Sequence, residues 1–169
     1  MVHTKANKAS WQAYKPSIQD KMSFEELKAL NPDVIGWVSI YGTGIDYPIM
    51  YNEDPNFYTF RDPLKRSSMI GSIFLDSKCS PDFSDFKNIL YGHHMEQHCM
   101  FGDVGNFLQE NYFKEHLYGD LFFNDTNHGL RIIGVINTTV HDSSVYKTNI
   151  LGIDNQQSQI AYLKEKSKR

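Results

Sequence analysis

From Asp33 to Tyr51 the chain reads DVIGWVSIYGTGIDYPIMY, with apolar residues alternating with small or polar ones around a Gly-Thr-Gly turn at Gly42 to Gly44. That period of two predicts a pair of strands joined by a tight connection. IGSIFLD (Ile70 to Asp76), FKNILYGH (Phe86 to His93), GDLFFND (Gly119 to Asp125) and LRIIGVINTTV (Leu130 to Val140) are four further strand candidates. Helical spacing replaces alternation in three places. In SFEELKAL, Ser23 stands three residues before Glu26, the capping-box spacing, and Pro32 follows, so a helix is expected from about Phe24 to Leu30. Val104, Phe107, Leu108 and Tyr112 fall on one face of a helix from about Asp103 to Leu117. The last segment, DNQQSQIAYLKEKSKR, has Asp154 or Asn155 as its expected N-cap and good helix formers to the terminus. Many short strands with few helices predict a mainly β fold, a barrel or a sandwich.

At 169 residues the chain is one domain in size. No repeat or linker interrupts it, so residues 23–169 are taken as one domain behind a tail or helical segment at 1–22, frayed over its first ten residues. Aromatic residues make up 14%, with 10 Tyr and 11 Phe, which suits a packed, strand-rich protein. The net charge of −3 gives no electrostatic footprint for nucleic acid or an anionic membrane, so no nucleic-acid partner is expected. No apolar run approaches the roughly 18 to 20 residues of a membrane span. Only two cysteines occur, Cys79 and Cys99, too few for a disulfide framework.

Chemistry concentrates in NILYGHHMEQHCMFGDVGNFL, Asn88 to Leu108. His94, His98 and Cys99 have the donor types of a zinc site. Against that, a strand ending at Gly92 points His93 and His94 to opposite faces, and no second ligand cluster follows, so no metal is expected. A strand that delivers a histidine through a glycine into a loop presents the imidazole at a sheet rim, where an acid–base group works. Met100 and Phe101 are expected to plug the core, and Asp76 to orient a loop by capping.

Gly36-Trp37, the IDYPI of Ile45 to Ile49, the Tyr58 region, Gly71-Ser72-Ile73-Phe74-Leu75-Asp76, Tyr91-Gly92-His93-His94 and Met100-Phe101-Gly102 together resemble, in order and spacing, the catalytic domain of class B sortases. The resemblance runs from about Phe24 to the final helix. It implies a sortase-type β-barrel with an N-terminal helix and two further helices. It also implies a cysteine transpeptidase that cleaves a C-terminal sorting motif of secreted proteins, forms a thioacyl-enzyme and passes the acyl group to a cell-wall amine. The implied partners are the sorting-motif peptide and the cell-wall precursor amine. No cofactor is implied. The implied location is the extracellular face of the membrane, held by an N-terminal anchor that is not among these 169 residues.

By motif position His93 is the acid–base residue; an imidazole can both give and take a proton. Tyr58, Thr59 and Tyr146 are the matching substrate-groove residues. The family's nucleophile and its arginine lie on two strands beyond the position of the last helix. Cys79, Cys99, Arg131 and Arg169 do not match them, so the barrel is expected to lack its last two strands and the chain to be inactive. Open strand edges are then expected to exchange or pair with a neighbouring chain. The alternative reading is a non-catalytic module that uses the same groove to bind peptides.

Overall fold

Strand β1 (Val34–Ile40) lies at the centre of the molecule, because six of its seven residues are buried and both its edges are paired. The structure, a computed structural model, describes residues 12–16, 22–95 and 98–167; the expected fraying of the first ten residues and Arg169 lie outside them. β2 (Asp46–Met50) returns antiparallel to β1, with Trp37 opposite Pro48 and Ser39 opposite Asp46. The predicted connection closes through Thr43, whose Oγ1 donates to the Ile40 carbonyl and accepts the Ile45 N–H. β3 (Ile73–Leu75) pairs parallel with the Ile49–Met50 end of β2, beyond Pro48, so the proline costs no ladder bond there. β4 (Leu90–Tyr91) pairs antiparallel with β3, and β5 (His94–Met95) with β6 (Cys99–Met100) forms a separate two-stranded hairpin.

On the other side of β1 runs β7 (Tyr118–Phe123), followed by β8 (Thr126–Arg131). Their two-residue turn, Asn124 and Asp125, has φ of 47° and 57°, the mirror-image turn that matches strand twist. The six-stranded sheet has the order β4-β3-β2-β1-β7-β8. It is mainly β as expected, but open instead of closed: the short β4 and the largely exposed β8 are its free edges.

Side-chain alternation builds a core on each face. Val38, Ile40, Tyr47, Ile49, Ile73 and Leu75 gather with Met100 and Phe107 on one. Trp37, Met50, Tyr58 and Phe122 gather on the other under helix α1 (Met22–Leu30), where Phe24 meets Phe122 edge-on at 5.0 Å. Met100 is 2% exposed, the expected plug, and Phe101 packs against the same cluster. Gln12 and Lys15 reach the β2 end: the Gln12 amide donates to the Asp46 carbonyl, and the Lys15 ammonium lies 2.9 Å from the Asp46 carboxylate.

Several boundaries differ from the sequence reading. Ser23 lies inside α1, not ahead of it. The strand expected over Leu130 to Val140 stops at Arg131, because β7 begins at Tyr118; one more bond, from Ile132 N–H to the Leu117 carbonyl, ends the pairing. The helix expected from Asp103 to Leu117 is two pieces, a 3-10 helix (Gly102–Leu108) and α2 (Glu110–Glu115), broken at an extended Gln109. The Asn106 amide donates to the Asp103 carboxylate and holds the first piece tight, a side-chain bond that competes with regular helix. α3 (Ile153–Lys166) is capped by Gly152 at φ 85°, which leaves Asp154 in its first turn and turns the Asn155 amide back onto the Leu151 carbonyl.

Candidate active site

β4 delivers its end, Tyr91-Gly92-His93, into a cleft of about 500 Å³. One wall is Pro55, Asn56 and Thr59 from the β2–β3 crossover; the floor is Phe74, Asp76 and Ser77 from the end of β3, with Lys78 at the rim. Gly92 is required by crowding: a Cβ there would lie 2.9 Å from the Phe101 ring and 3.2 Å from the Ile73 side chain. Gly71 has φ of 59°, and its missing Cβ leaves room for the Thr59 carbonyl, which would otherwise be 2.2 Å away. These two glycines bring the crossover loop and the histidine strand together.

His93 Nδ1 lies 3.1 Å from the Ile70 carbonyl. A carbonyl only accepts, so Nδ1 carries the hydrogen and Nε2 of the neutral ring is the proton acceptor. The Phe60 ring packs against the imidazole with centroids 5.6 Å apart, and the His93 carbonyl accepts the Phe101 N–H at 3.0 Å. The imidazole is therefore fixed in position and tautomer by backbone and packing alone.

Thr59 lines the cleft, whereas Tyr58, one residue earlier, is 1% exposed and points into the α1 core. The Tyr58 hydroxyl accepts from the Asn31 amide at 2.9 Å and donates to Asp33 Oδ2 at 2.7 Å. Burial, with Asp33 beside it, pushes the Tyr58 hydroxyl well above the usual phenol range. Tyr58 thus meets the cleft through its backbone: its carbonyl accepts the Ser72 N–H at 3.0 Å, at the start of the strand that floors the site. Tyr146 is half-buried, within electrostatic reach of Tyr91, on a loop that Lys87 holds through the Val145 carbonyl. Burial lowers the Lys87 ammonium below its ordinary value. Asp142 gathers the same loop onto α3, accepting the Tyr162 hydroxyl at 2.8 Å and the Thr138 hydroxyl at 3.1 Å.

Asp33 gives a pH prediction. Burial alone would raise its carboxyl, but bonds from Tyr58, Lys65 and Asn52 outweigh it and hold the group below the ordinary 3.8. A depressed folded value contributes stability that is complete above 3.8 and is lost as the pH falls through the lower, folded value. Urea unfolding is expected to show this loss in the wild type below about pH 4, and Asp33→Asn to remove that part of the pH dependence.

The histidine and cysteine cluster does not converge. Cross-strand pairing sets His94 against Met100 and Met95 against Cys99, so His94 and Cys99 occupy opposite faces of the hairpin. The His98 ring contacts the Asp103 carboxylate instead, and among the described residues no three His, Cys, Asp or Glu side chains form a metal-holding group. Neither cysteine lines the cleft. Cys79 is 3% exposed, its thiol donating to the Lys87 carbonyl and pushed up in pKa by burial. Arg131 closes β8, on the far side of β1 in the sheet.

Sequence reasoning missed one pair in the cleft. Asp76 does cap its loop, accepting the Lys78 N–H at 2.9 Å, but its other oxygen accepts the Tyr91 hydroxyl at 2.9 Å. Burial first, and the Asp76 carboxylate second, raise Tyr91 well above the phenol range. The bond joins two segments that meet only in the folded sheet, so no local spacing signalled it.

An open mixed sheet with α1 on one face and a histidine delivered by a short edge strand is the sortase fold: a mutant form of Clostridium perfringens sortase B superposes with a TM-score of 0.91, at 26% identity, over 100% of this chain and 82% of that one. The chain is a homologue of the class B sortases. It is 33% identical to Listeria monocytogenes sortase B over 114 residues, 68% of this chain and 46% of that protein. It is 24% identical to Staphylococcus aureus sortase B over 153 residues, 85% of this chain and 63% of that protein. The chain thus spans about half to three-fifths of the length of these curated relatives. No family model matches it.

Proposed function

We propose that this domain carries the peptide groove and the acid–base histidine of a class B sortase, a cysteine transpeptidase acting on secreted proteins at the outer face of the cell membrane. The observation that carries the reading is His93 with its Nδ1 hydrogen on the Ile70 carbonyl, facing a cleft of about 500 Å³ in a fold homologous to sortases. In that chemistry a thiolate attacks the scissile carbonyl, Nε2 of the histidinium protonates the departing amine, and the neutral ring later takes a proton from the incoming one. The sorting peptide would lie along Asn56, Thr59 and the 138–147 loop, with Tyr146 at its end and Tyr58 holding the wall from behind.

Among the described residues no cysteine and no arginine lines the cleft, and we propose on that basis that these residues bind the peptide without turning it over. Among the described residues no helix is long and apolar enough to cross a membrane, so the proposed anchoring rests on the family alone.

A positional-scanning library of fluorescent pentapeptides tests the reading on the intact chain. Bound peptides are expected to shift the backbone amide signals of Asn56, Thr59 and His93, with no cleavage and no transfer. Binding that leaves those amides unmoved, or no binding by any member, would overturn the groove assignment.

A further inference from the structure

Asp76 is the feature of the cleft that peptide binding and the histidine leave unused. The residue is 9% exposed and lines the cleft. Oδ1 accepts the Lys78 backbone N–H and Oδ2 the Tyr91 hydroxyl, and neither donor carries a charge. Among the described residues no Lys, Arg or His nitrogen forms an ion pair with it. Lys78, two residues on, meets it through the main chain and not through its ammonium. A carboxylate drawn out of water without a counter-ion is costly, and a cation that enters the cleft relieves that cost.

The chemistry of the floor narrows what the cation is. Each Asp76 oxygen keeps a lone pair, and the Tyr91 hydroxyl, its proton committed to Asp76, has acceptor capacity left. At this pair the free atoms are acceptors, while the donors of Asn56, Thr59, Ser77 and Lys78 lie elsewhere in the lining. A calcium ion takes about six to eight oxygens, more than one carboxylate and one phenol supply. A primary ammonium is compact and brings three donors, two for the Asp76 and Tyr91 oxygens and one left to face His93.

We propose that Asp76, held in place by Tyr91, is the anchor for the ammonium of the amine-bearing second substrate. The inference rests on the transpeptidase reading above, in which a primary amine must reach the same cleft, and at neutral pH it arrives protonated. His93 lies in that cleft as the base to which the ammonium then gives its proton, leaving the neutral amine and the imidazolium.

The test titrates 15N-labelled protein with glycinamide, which carries the ammonium, and with N-acetylglycinamide, which does not. Glycinamide is expected to shift the Lys78 and Tyr91 amides and to bind at least about tenfold more tightly, with the preference shrinking as salt is raised, as for any ionic contact. Asp76→Asn is expected to abolish the preference. Tyr91→Phe, which keeps the carboxylate, is expected to weaken glycinamide about two- to tenfold, the range of one hydrogen bond. Equal binding of the two probes, a preference that survives Asp76→Asn, or one insensitive to salt would overturn the anchor. If Asp76→Asn fails to fold, Tyr91→Phe and the salt series on the wild type still decide. The pentapeptide library separates the two levels. Peptide bound without ammonium preference sinks the anchor alone, and no peptide bound sinks the sortase reading with it.

Discussion

Trp37→Ala is expected to lower the stability of the domain by about 3–5 kcal/mol, the usual range for emptying a buried aromatic site. Trp37 is 2% exposed in the middle of the central strand, packed with Met50, Tyr58 and Phe122 beneath α1. Its indole N–H donates to Asp46 Oδ1 at 2.9 Å, so the side chain also fixes the start of β2. Domains of this size hold about 5–15 kcal/mol in total, so the loss is a large fraction of what is available. Trp37→Phe keeps most of the volume and gives up the N–H bond, with an expected cost of about 1–2 kcal/mol. Urea unfolding followed by far-UV circular dichroism separates the two. Equal effects of Ala and Phe would show that the Asp46 bond, and not the packing, carries the site.

The second large effect is expected at Asp103→Ala, about 1–3 kcal/mol, because it takes a shared acceptor away from buried donors. Asp103 is 2% exposed and joins three elements: Oδ2 accepts the Gly44 N–H of the β1–β2 turn at 2.5 Å, and Oδ1 takes the His98 ring and the Asn106 amide. The approach is close enough that a Cβ on Gly44 would lie 1.8 Å from the His98 carbonyl oxygen. Removing the carboxylate takes away its bond to the Gly44 N–H and loosens the hold of the 98–106 segment on the β1–β2 turn. That segment reaches the site through the Phe101 N–H on the His93 carbonyl. Hydrogen exchange is therefore expected to rise first over residues 98–106 and to pull His93 with it. Uniform exchange across the sheet, with that segment unchanged, would count against the network.

The β1–β2 hairpin and the placing of His93 just past a strand end were legible because each rests on local chemistry, alternation with turn residues and a glycine before the histidine, whereas Asn124 and Asp125, read as the end of a strand, form the β7–β8 turn. The strand at 130–140 was not legible, since Ile132, Ile133 and Val135 have strand-forming side chains whatever lies beside them, and only the register of β7 shows where the partner ends. The helix at 103–117 was misread for a similar reason. Val104, Phe107, Leu108 and Tyr112 keep helical spacing across Gln109, and the break follows from Asp103, which is tied to Gly44 far away in sequence while it holds Asn106 three residues on.

The site divides in the same way. His93 and Thr59 line the cleft, and Tyr146 does not. Tyr58 turns inward because its hydroxyl finds Asn31 and Asp33, which no spacing rule connects to it. Asp76 was legible as a loop cap but not as a partner of Tyr91, since that bond spans two strands.

The acceptor that fixes the His93 tautomer is a main-chain oxygen, and every amino acid supplies one. Substitution at position 70 can therefore change the size and greasiness of the neighbourhood while the protonation geometry of the ring stays the same. A carboxylate in that role would titrate, could be lost by one codon change, and would add a charge beside the reacting atoms. The arrangement lets the surroundings of the base drift freely in sequence, and the heritable constraint falls on Gly71 and Gly92, which let the two backbones come this near.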